Sequence, residues 1–315
     1  MKAAVVAVAG GAVPEYQDFP EPEVGPGGQI VELVATAIHP VVRAKASGGH
    51  YSSTGQFPLV PGVDAVARTA DGTLVYTGDV EEPWGTFAER MAITMALPLP
   101  AGADPVAVAA GVNPGMSSWM PLTAHVGEHG TPDTVMIIGV TGAAGGLAVQ
   151  NAQALGVRRI IGVGRGADDL KRVAGLGAET IEITGSADAD AAAIGAALDG
   201  KAPDLVLDFL WGSAAEAAFH ALAAIPGGAT SYVEIGGAAG EQATVPASLL
   251  RSRPFRLTGS GIGSFDMRRY FTQVAAYVQL ITDGKVKVDA QAYPLAHISQ
   301  AWTAPAGPRP VLTTD

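Results

Sequence analysis

The 315-residue chain has no cysteine, which excludes disulfide bridges, thiolate nucleophiles and cysteine-held zinc and leaves redox chemistry to a bound cofactor. It is also poor in charge: 16% of its residues are charged, and 19 Lys and Arg face 30 Asp and Glu for a formal net charge of −11. Phosphate backbones are bound by clustered cations, so no nucleic-acid partner is expected. No stretch reaches the ~18 uninterrupted apolar residues of a membrane span, so no membrane partner is expected either. The opening "MKAAVVAVAGGAV" has one lysine before a small-residue apolar run. That run is short and broken by glycine, and it reads as a first strand rather than a secretory leader. A cytoplasmic enzyme acting on a small molecule is the expectation.

What the chain has in quantity is hydrophobic residues, at 48%, and glycine, at 41 residues. Five of those glycines fall in "VMIIGVTGAAGGLAVQNAQALG", residues 135–156. Val135 to Ile138 has the composition of a strand buried on both faces of a parallel sheet, and Leu147 to Leu155 that of a helix. Gly142 and Gly145 keep the two-residue gap that ends the dinucleotide fingerprint, where one glycine admits a pyrophosphate and the next lets helix pack close on strand. The first fingerprint position holds Val140 instead. By itself this turn is equally a glycine-rich connection with no ligand.

The length predicts two domains. Over the first hundred residues, short strand-like runs alternate with Pro and Gly, which predicts a β-rich unit. From about Asp104 apolar strands alternate with alanine-rich helices: Val135 to Ile138, Arg159 to Val163, Thr180 to Ile183, Asp204 to Phe209, Tyr232 to Ile235 and Leu257 to Ser260. Six such strands predict a doubly wound parallel sheet, and the fold class is α/β. In "FDMRRYFTQVAAYVQLITDGK", Tyr270, Phe271, Val274, Val278 and Ile281 recur at helical spacing and are expected in the core. The expected division is a β-rich domain of residues 1–110 and 264–315 around a dinucleotide-binding domain of residues 111–263.

The second strand of that sheet ends "IIGVGRG". NAD-binding sites place an acid here to accept from the ribose hydroxyls, whereas a 2′-phosphate wants a cation. The chain offers Gly164 and Arg165, and a guanidinium both forks a phosphate and stacks on adenine. Asp168 and Asp169 read as the first turn of the next helix, where acids complement the dipole. NADPH is therefore the expected cofactor.

Together, "GPGGQIVELVATAIHPVVRAKASGGHY", "PLVPGVDAVA", "NPGMSSWMPLT", "GVTGAAGGLAVQNAQALG", "LVLDFLWG" and "LLRSRPFRLTGSG" resemble, in order and over nearly the whole length, the medium-chain dehydrogenase/reductase superfamily on its zinc-independent quinone oxidoreductase side. The resemblance implies a GroES-like catalytic domain plus a Rossmann domain. It implies that Thr141, Gly142, Ala143, Ala144 and Gly145 line the pyrophosphate cradle, that Ser117 and Trp119 lie toward the nicotinamide, that Phe209 and Leu210 cover part of the cofactor, and that Gly236 and Ser260 approach the nicotinamide and its ribose. Tyr51 matches the family's substrate-site tyrosine. His39 stands where those relatives usually carry an asparagine near the substrate, and a lone histidine in an apolar run is as often structural.

Zinc-dependent members carry a Gly-His-Glu after the proline-glycine and a four-cysteine lobe. Here the first reads Gly62-Val63-Asp64 and the second is missing, so His39 and Asp64 lack a third ligand and no metal is expected. The implied activity is NADPH-dependent transfer of hydride to a quinone or to the activated C=C of an α,β-unsaturated carbonyl. A pathway-specific reductase, a non-redox cyclase on the same fold and a non-catalytic NADPH-binding sensor are the alternatives. Relatives commonly form homodimers through the last sheet strand; "RLTGSGI" suits that role, although an internal strand would read the same.

Overall fold

The computed structural model describes residues 1–10, 12–50, 53–78, 80–261 and 263–314. Along the chain the elements are β1 (Lys2–Val5), β2 (Glu15–Asp18), β3 (Gln29–Ala37), α1 (Pro40–Ala46), β4 (Ala65–Arg68), β5 (Leu74–Thr77), β6 (Arg90–Ile93) and β7 (Leu97–Pro98). A long helix, α2 (Pro105–His129), leads to β8 (Thr134–Ile138), α3 (Ala143–Ala154), β9 (Arg159–Gly164), α4 (Ala167–Gly175), β10 (Glu179–Glu182) and α5 (Ala187–Leu198). Then come β11 (Leu205–Asp208), α6 (Gly212–Ala224), β12 (Thr230–Glu234), α7 (Ala247–Ser252) and β13 (Phe255–Gly259). The chain closes with α8 (Met267–Thr282), β14 (Ala290–Pro294), α9 (Ile298–Trp302) and β15 (Arg309–Thr313). Two compact units result: Met1–Asn113 with Val274–Asp315, and Pro114–Gln273.

In the first unit, seven strands run β14-β15-β3-β4-β5-β7, with β6 also paired to β3. The carboxy-terminal β15 joins this sheet antiparallel to β3, setting Val311 against Ala37. Strand β3 is buried at alternate residues in its first half, Val31 and Leu33, as a strand with one face on a core is, and at three successive residues, Ala35, Thr36 and Ala37, where both faces are covered. Val31 and Leu33 pack there with Phe87, Met91, Leu312 and Trp302 of α9.

The second unit is built on a six-stranded parallel sheet of order β10-β9-β8-β11-β12-β13, the doubly wound arrangement with its reversal between β8 and β11. Both faces are covered. One core holds Met136, Ile138, Val206, Phe219 and Tyr232, and the other holds Val135, Ile137, Leu205, Leu207 and Val149. Neighbouring residues of one strand thus feed opposite cores, which is why these strands read as unbroken apolar runs. All six expected strands are present, with ends displaced by one or two residues.

The expected core stripe of α8 needs correction. Val274, Val278 and Ile281 are buried, together with Tyr277, but Tyr270 and Phe271 are only half-buried. Tyr270 instead stacks on Phe265, with ring centroids 5.4 Å apart and planes 7° from parallel. Among the described residues, no helix is long and apolar enough to cross a membrane.

Candidate functional site

In the second unit, the sequence-selected residues from Thr141 onward sit at the carboxyl ends of the parallel strands, whereas Ser117 and Trp119 lie within α2. Strand β8 ends in a turn whose first residue, Gly139, has φ +88° and closes it with a bond from Gly142 N–H to the Gly139 carbonyl, 3.2 Å. Side chains are strained at such a φ, so Gly139 does the turning that the fingerprint assigns one position later. Val140 is then free to be a core residue. It is fully buried, and its Cγ2 would lie 2.9 Å from a Cβ on Gly162 of β9.

Gly145 and Gly142 have different tasks. A Cβ on Gly145 would meet the Gly139 carbonyl oxygen at 2.4 Å and Val140 Cα at 2.5 Å, so Gly145 is where α3 passes against the turn. Gly142 is the N-cap of α3, and the nearest atom to a Cβ there is the Gly139 oxygen at 3.6 Å. The direction its side chain would take is open, and beyond it lie the unpaired amides of a helix N-terminus. Ala143 and Ala144, exposed and half-buried, begin the helix. Thr141 packs against the end of β9, where a Cβ on Gly164 would come within 2.8 Å of its Cγ2. Arg165 follows, exposed, with no acid at that strand end; Asp168 and Asp169 fall in the first turn of α4.

Across the reversal of strand order, a Cβ on Gly139 would touch Leu210 and Phe209 at 3.1 Å, and a Cβ on Gly236 would touch the Phe209 carbonyl at 3.3 Å. Ser260 donates its amide to the Glu234 carbonyl, 2.8 Å, which fastens the end of β13 to that of β12. Ser117 lies in α2 and donates to the Pro114 carbonyl at 2.5 Å. Trp119 is buried, its indole N–H donating to Gln273 Oε1 at 2.8 Å.

The loop carrying Phe209 and Leu210 is held by a residue the sequence reading passed over. Asp208, fully buried at the end of β11, accepts from the Leu210 and Trp211 amides at 2.9 and 3.0 Å and from the Tyr232 hydroxyl at 2.6 Å. Burial pushes its carboxyl above the ordinary carboxylate value, against the pull of those three donors. Burial also raises Glu234, with the Asp208 charge adding to it. An acid closing an otherwise apolar "LVLD" run was the available signal, because a buried charge must be paired or hydrogen-bonded.

In the first unit, His39 and Asp64 are both buried, with His39 Nε2 3.5 Å from Asp64 Oδ1. His39 forms the N-cap of α1, and the other oxygen of Asp64 accepts from the Tyr76 hydroxyl at 2.7 Å. Among the described residues, no three His, Cys, Asp or Glu side chains meet as a metal site. Tyr51 lies outside the described residues. A cleft of about 600 Å³ opens in the second unit at the opposite, amino-terminal end of the strands. His125, Asp204 and Arg256 help to line it, and none of the cradle residues does.

No family model matches the chain. A probable NADPH-dependent quinone reductase of Emericella nidulans is 28% identical to it, with 96% of each chain covered. Among solved structures, a mycobacterial quinone oxidoreductase superposes with a TM-score of 0.84 at 21% identity over 99% of each chain. The quinone oxidoreductase of Thermus thermophilus, also described in complex with NADPH, does so with a TM-score of 0.78 at 24% identity, over 99% of this chain and 100% of that one. The likeness to these quinone reductases thus covers 96% of the chain in sequence and 99% of it in fold.

Proposed function

We propose that the protein is an NADPH-dependent reductase that delivers hydride to a quinone or to the activated double bond of an α,β-unsaturated carbonyl compound. The observation that carries this is the cradle at the sheet's reversal point. Gly142 leaves the end of α3 open to an anion, and the neighbouring strand end bears Gly164 and Arg165 where an NAD site would carry an acid. The quinone reductase names of the relatives support the substrate class.

Bound NADPH supplies the hydride from its nicotinamide. The first amides of α3 hold the pyrophosphate, Arg165 pairs with the 2′-phosphate, and Phe209 and Leu210, fixed by Asp208, cover the cofactor. Ser117, Gly236 and Ser260 lie toward the nicotinamide end. Tyr51 and His39 serve as donors to the substrate oxygen on which charge develops, with Asp64 orienting His39. No metal is called for, so catalysis comes from alignment and preorganised donors. We also propose that the protein is a homodimer paired through β13, the edge strand of its sheet, whose residues 256–259 are exposed.

Turnover on a panel of quinones and enones, followed by loss of nicotinamide absorbance, tests the activity. Tight NADPH binding without turnover on any of them would turn the reading toward a sensor or a non-redox cyclase. For the cofactor, NADPH is expected to bind tighter than NADH, and Arg165→Ala to lose most of that preference. A charge-assisted bond to phosphate contributes roughly 1.5–3 kcal/mol, or about ten- to a hundredfold; equal affinities in the unmutated protein would refute the assignment. For the chemistry, Tyr51→Phe is expected to lower kcat by roughly ten- to a thousandfold with NADPH affinity preserved, since one donor to a developing oxyanion is worth about 2–4 kcal/mol. His39→Asn separates two roles. A substrate-facing histidine predicts lost activity on the native substrate with simple quinones still reduced, whereas a lower melting temperature with uniform loss assigns His39 to the fold.

A further inference from the structure

We infer that Arg172, on the second turn of α4, is a second cation for the 2′-phosphate and with Arg165 sets the preference for NADPH. The inference rests on the dinucleotide reading above. Although 31 residues separate them, Arg172 Nη2 donates to the carbonyl of Thr141 in the turn after β8, at 2.9 Å. The same nitrogen lies 3.4 Å from Asp169 Oδ1, one turn back along the helix. Both partners engage Nη2, so Nη1 and Nε donate to no described residue.

The direction of the free nitrogen is informative. Nη1 is 3.5 Å from where a Cβ on Gly146 would sit, in the first turn of α3. The guanidinium, 52% exposed, therefore stands beside the pyrophosphate turn and is anchored by one nitrogen, with its remaining donors uncommitted. In a doubly wound sheet the adenosine ribose lies between this turn and the end of the second strand. Here Thr141 packs on Gly164 at the mouth of that gap. Arg165 flanks it on the strand side and Arg172 on the helix side. A guanidinium has five donors in a planar fork, so Arg172 can keep its bond to Thr141 and still present a pair of N–H groups to a phosphate.

Two effects are combined in this residue, fastening the turn and supplying charge, and glutamine separates them because its amide keeps a donor for Thr141 without the charge. Dissociation constants for NADPH and NADH, and for their adenosine halves 2′,5′-ADP and 5′-AMP, are measured by calorimetry on the unmutated protein, Arg172→Gln, Arg172→Lys and Arg165→Ala. Arg172→Gln is expected to weaken NADPH and 2′,5′-ADP by about ten- to a hundredfold, with NADH and 5′-AMP changed by less than about threefold. Arg172→Lys, which keeps the charge, is expected to retain most of the preference and provides a test if the glutamine variant folds poorly. Equal weakening of phosphorylated and unphosphorylated ligands by Arg172→Gln would make Arg172 a turn fastener only and overturn the inference. So would a preference that Arg165→Ala removes and Arg172→Gln leaves intact, while the dinucleotide reading stands. If the unmutated protein binds none of the four ligands, that reading itself fails.

Discussion

Gly145→Val is expected to abolish dinucleotide binding and to lower the melting temperature, whereas Gly142→Ala, three residues earlier, is expected to weaken binding alone. The difference lies in what each new side chain meets. At Gly145 the nearest atoms are the Gly139 carbonyl oxygen at 2.4 Å, Val140 Cα at 2.5 Å and the Val140 carbonyl carbon at 2.8 Å, all backbone. None can swing aside, so helix and turn must separate. Overpacking of this kind costs up to about 3 kcal/mol and occasionally more, which lowers the melting point of a domain this size by roughly 6–12 °C. At Gly142 the one neighbour among the described residues is the Gly139 oxygen at 3.6 Å, an ordinary contact, so the protein without ligand accommodates alanine. The methyl group then occupies space meant for the pyrophosphate, and affinity falls by about tenfold or more, the equivalent of a lost hydrogen bond to a charged group. Thermal melts and NADPH titrations of both variants decide the matter. A Gly145→Val protein that melts and binds as the unmutated one would show that the strand, turn and helix do not pack as described.

Removing the Asp208 carboxylate is expected to have the other large effect. Asp208→Ala strands the Tyr232 hydroxyl and the Leu210 and Trp211 amides, three donors in or near the core. At about 1–3 kcal/mol for each unsatisfied group, the loss is about 3 kcal/mol or more, again roughly 6–12 °C. The same carboxyl predicts an unusual pH dependence. Its folded-state pKa is raised by burial above the ordinary 3.8, so above that pH the folded chain holds a proton that the unfolded chain has released. Raising the pH through this window therefore costs stability, opposite to the usual acid-denaturation trend. The contribution is complete below the unfolded value and lost as pH rises through the folded one. Asp208→Asn keeps the shape without titrating, so the melting temperature of the unmutated protein minus that of the variant should be larger at the ordinary carboxylate value of 3.8 than at neutral pH. A difference that does not change with pH would mean that Asp208 is ionised throughout.

The architecture was legible because its signals are local. Strands β8, β9 and β11 are apolar runs bounded by glycine, acid or proline, and those boundaries survive folding within a residue or two. Local signals failed where a long-range contact decides. The bond from Arg172 to Thr141 and the approach of His39 to Asp64 join segments 31 and 25 residues apart, and no spacing rule announces them. Pro114 and Pro121 both lie inside the single helix α2, although proline ordinarily kinks or ends a helix. Periodicity placed Tyr270 and Phe271 on the correct face of α8 but carried no information on whether anything covers the start of that face. Asp208 escapes for a different reason: an acid closing an apolar run signals that its charge needs partners, but not that those partners are the Leu210 and Trp211 amides of its own loop and the Tyr232 hydroxyl.

The pairing of Val140 with Gly162 has a bearing on other chains. The volume that a glycine-first fingerprint leaves empty after the first strand is filled here by a valine, and the vacancy has been transferred to the middle of the second strand. The two positions behave as one quantity of space shared between neighbours. Either member exchanged alone should leave a void or a clash, and exchanged together they should be tolerated. A search that demands three glycines in one loop will pass over proteins built this way. One that accepts a bulky residue in the loop when a strand residue 22 positions later lacks a side chain will find them.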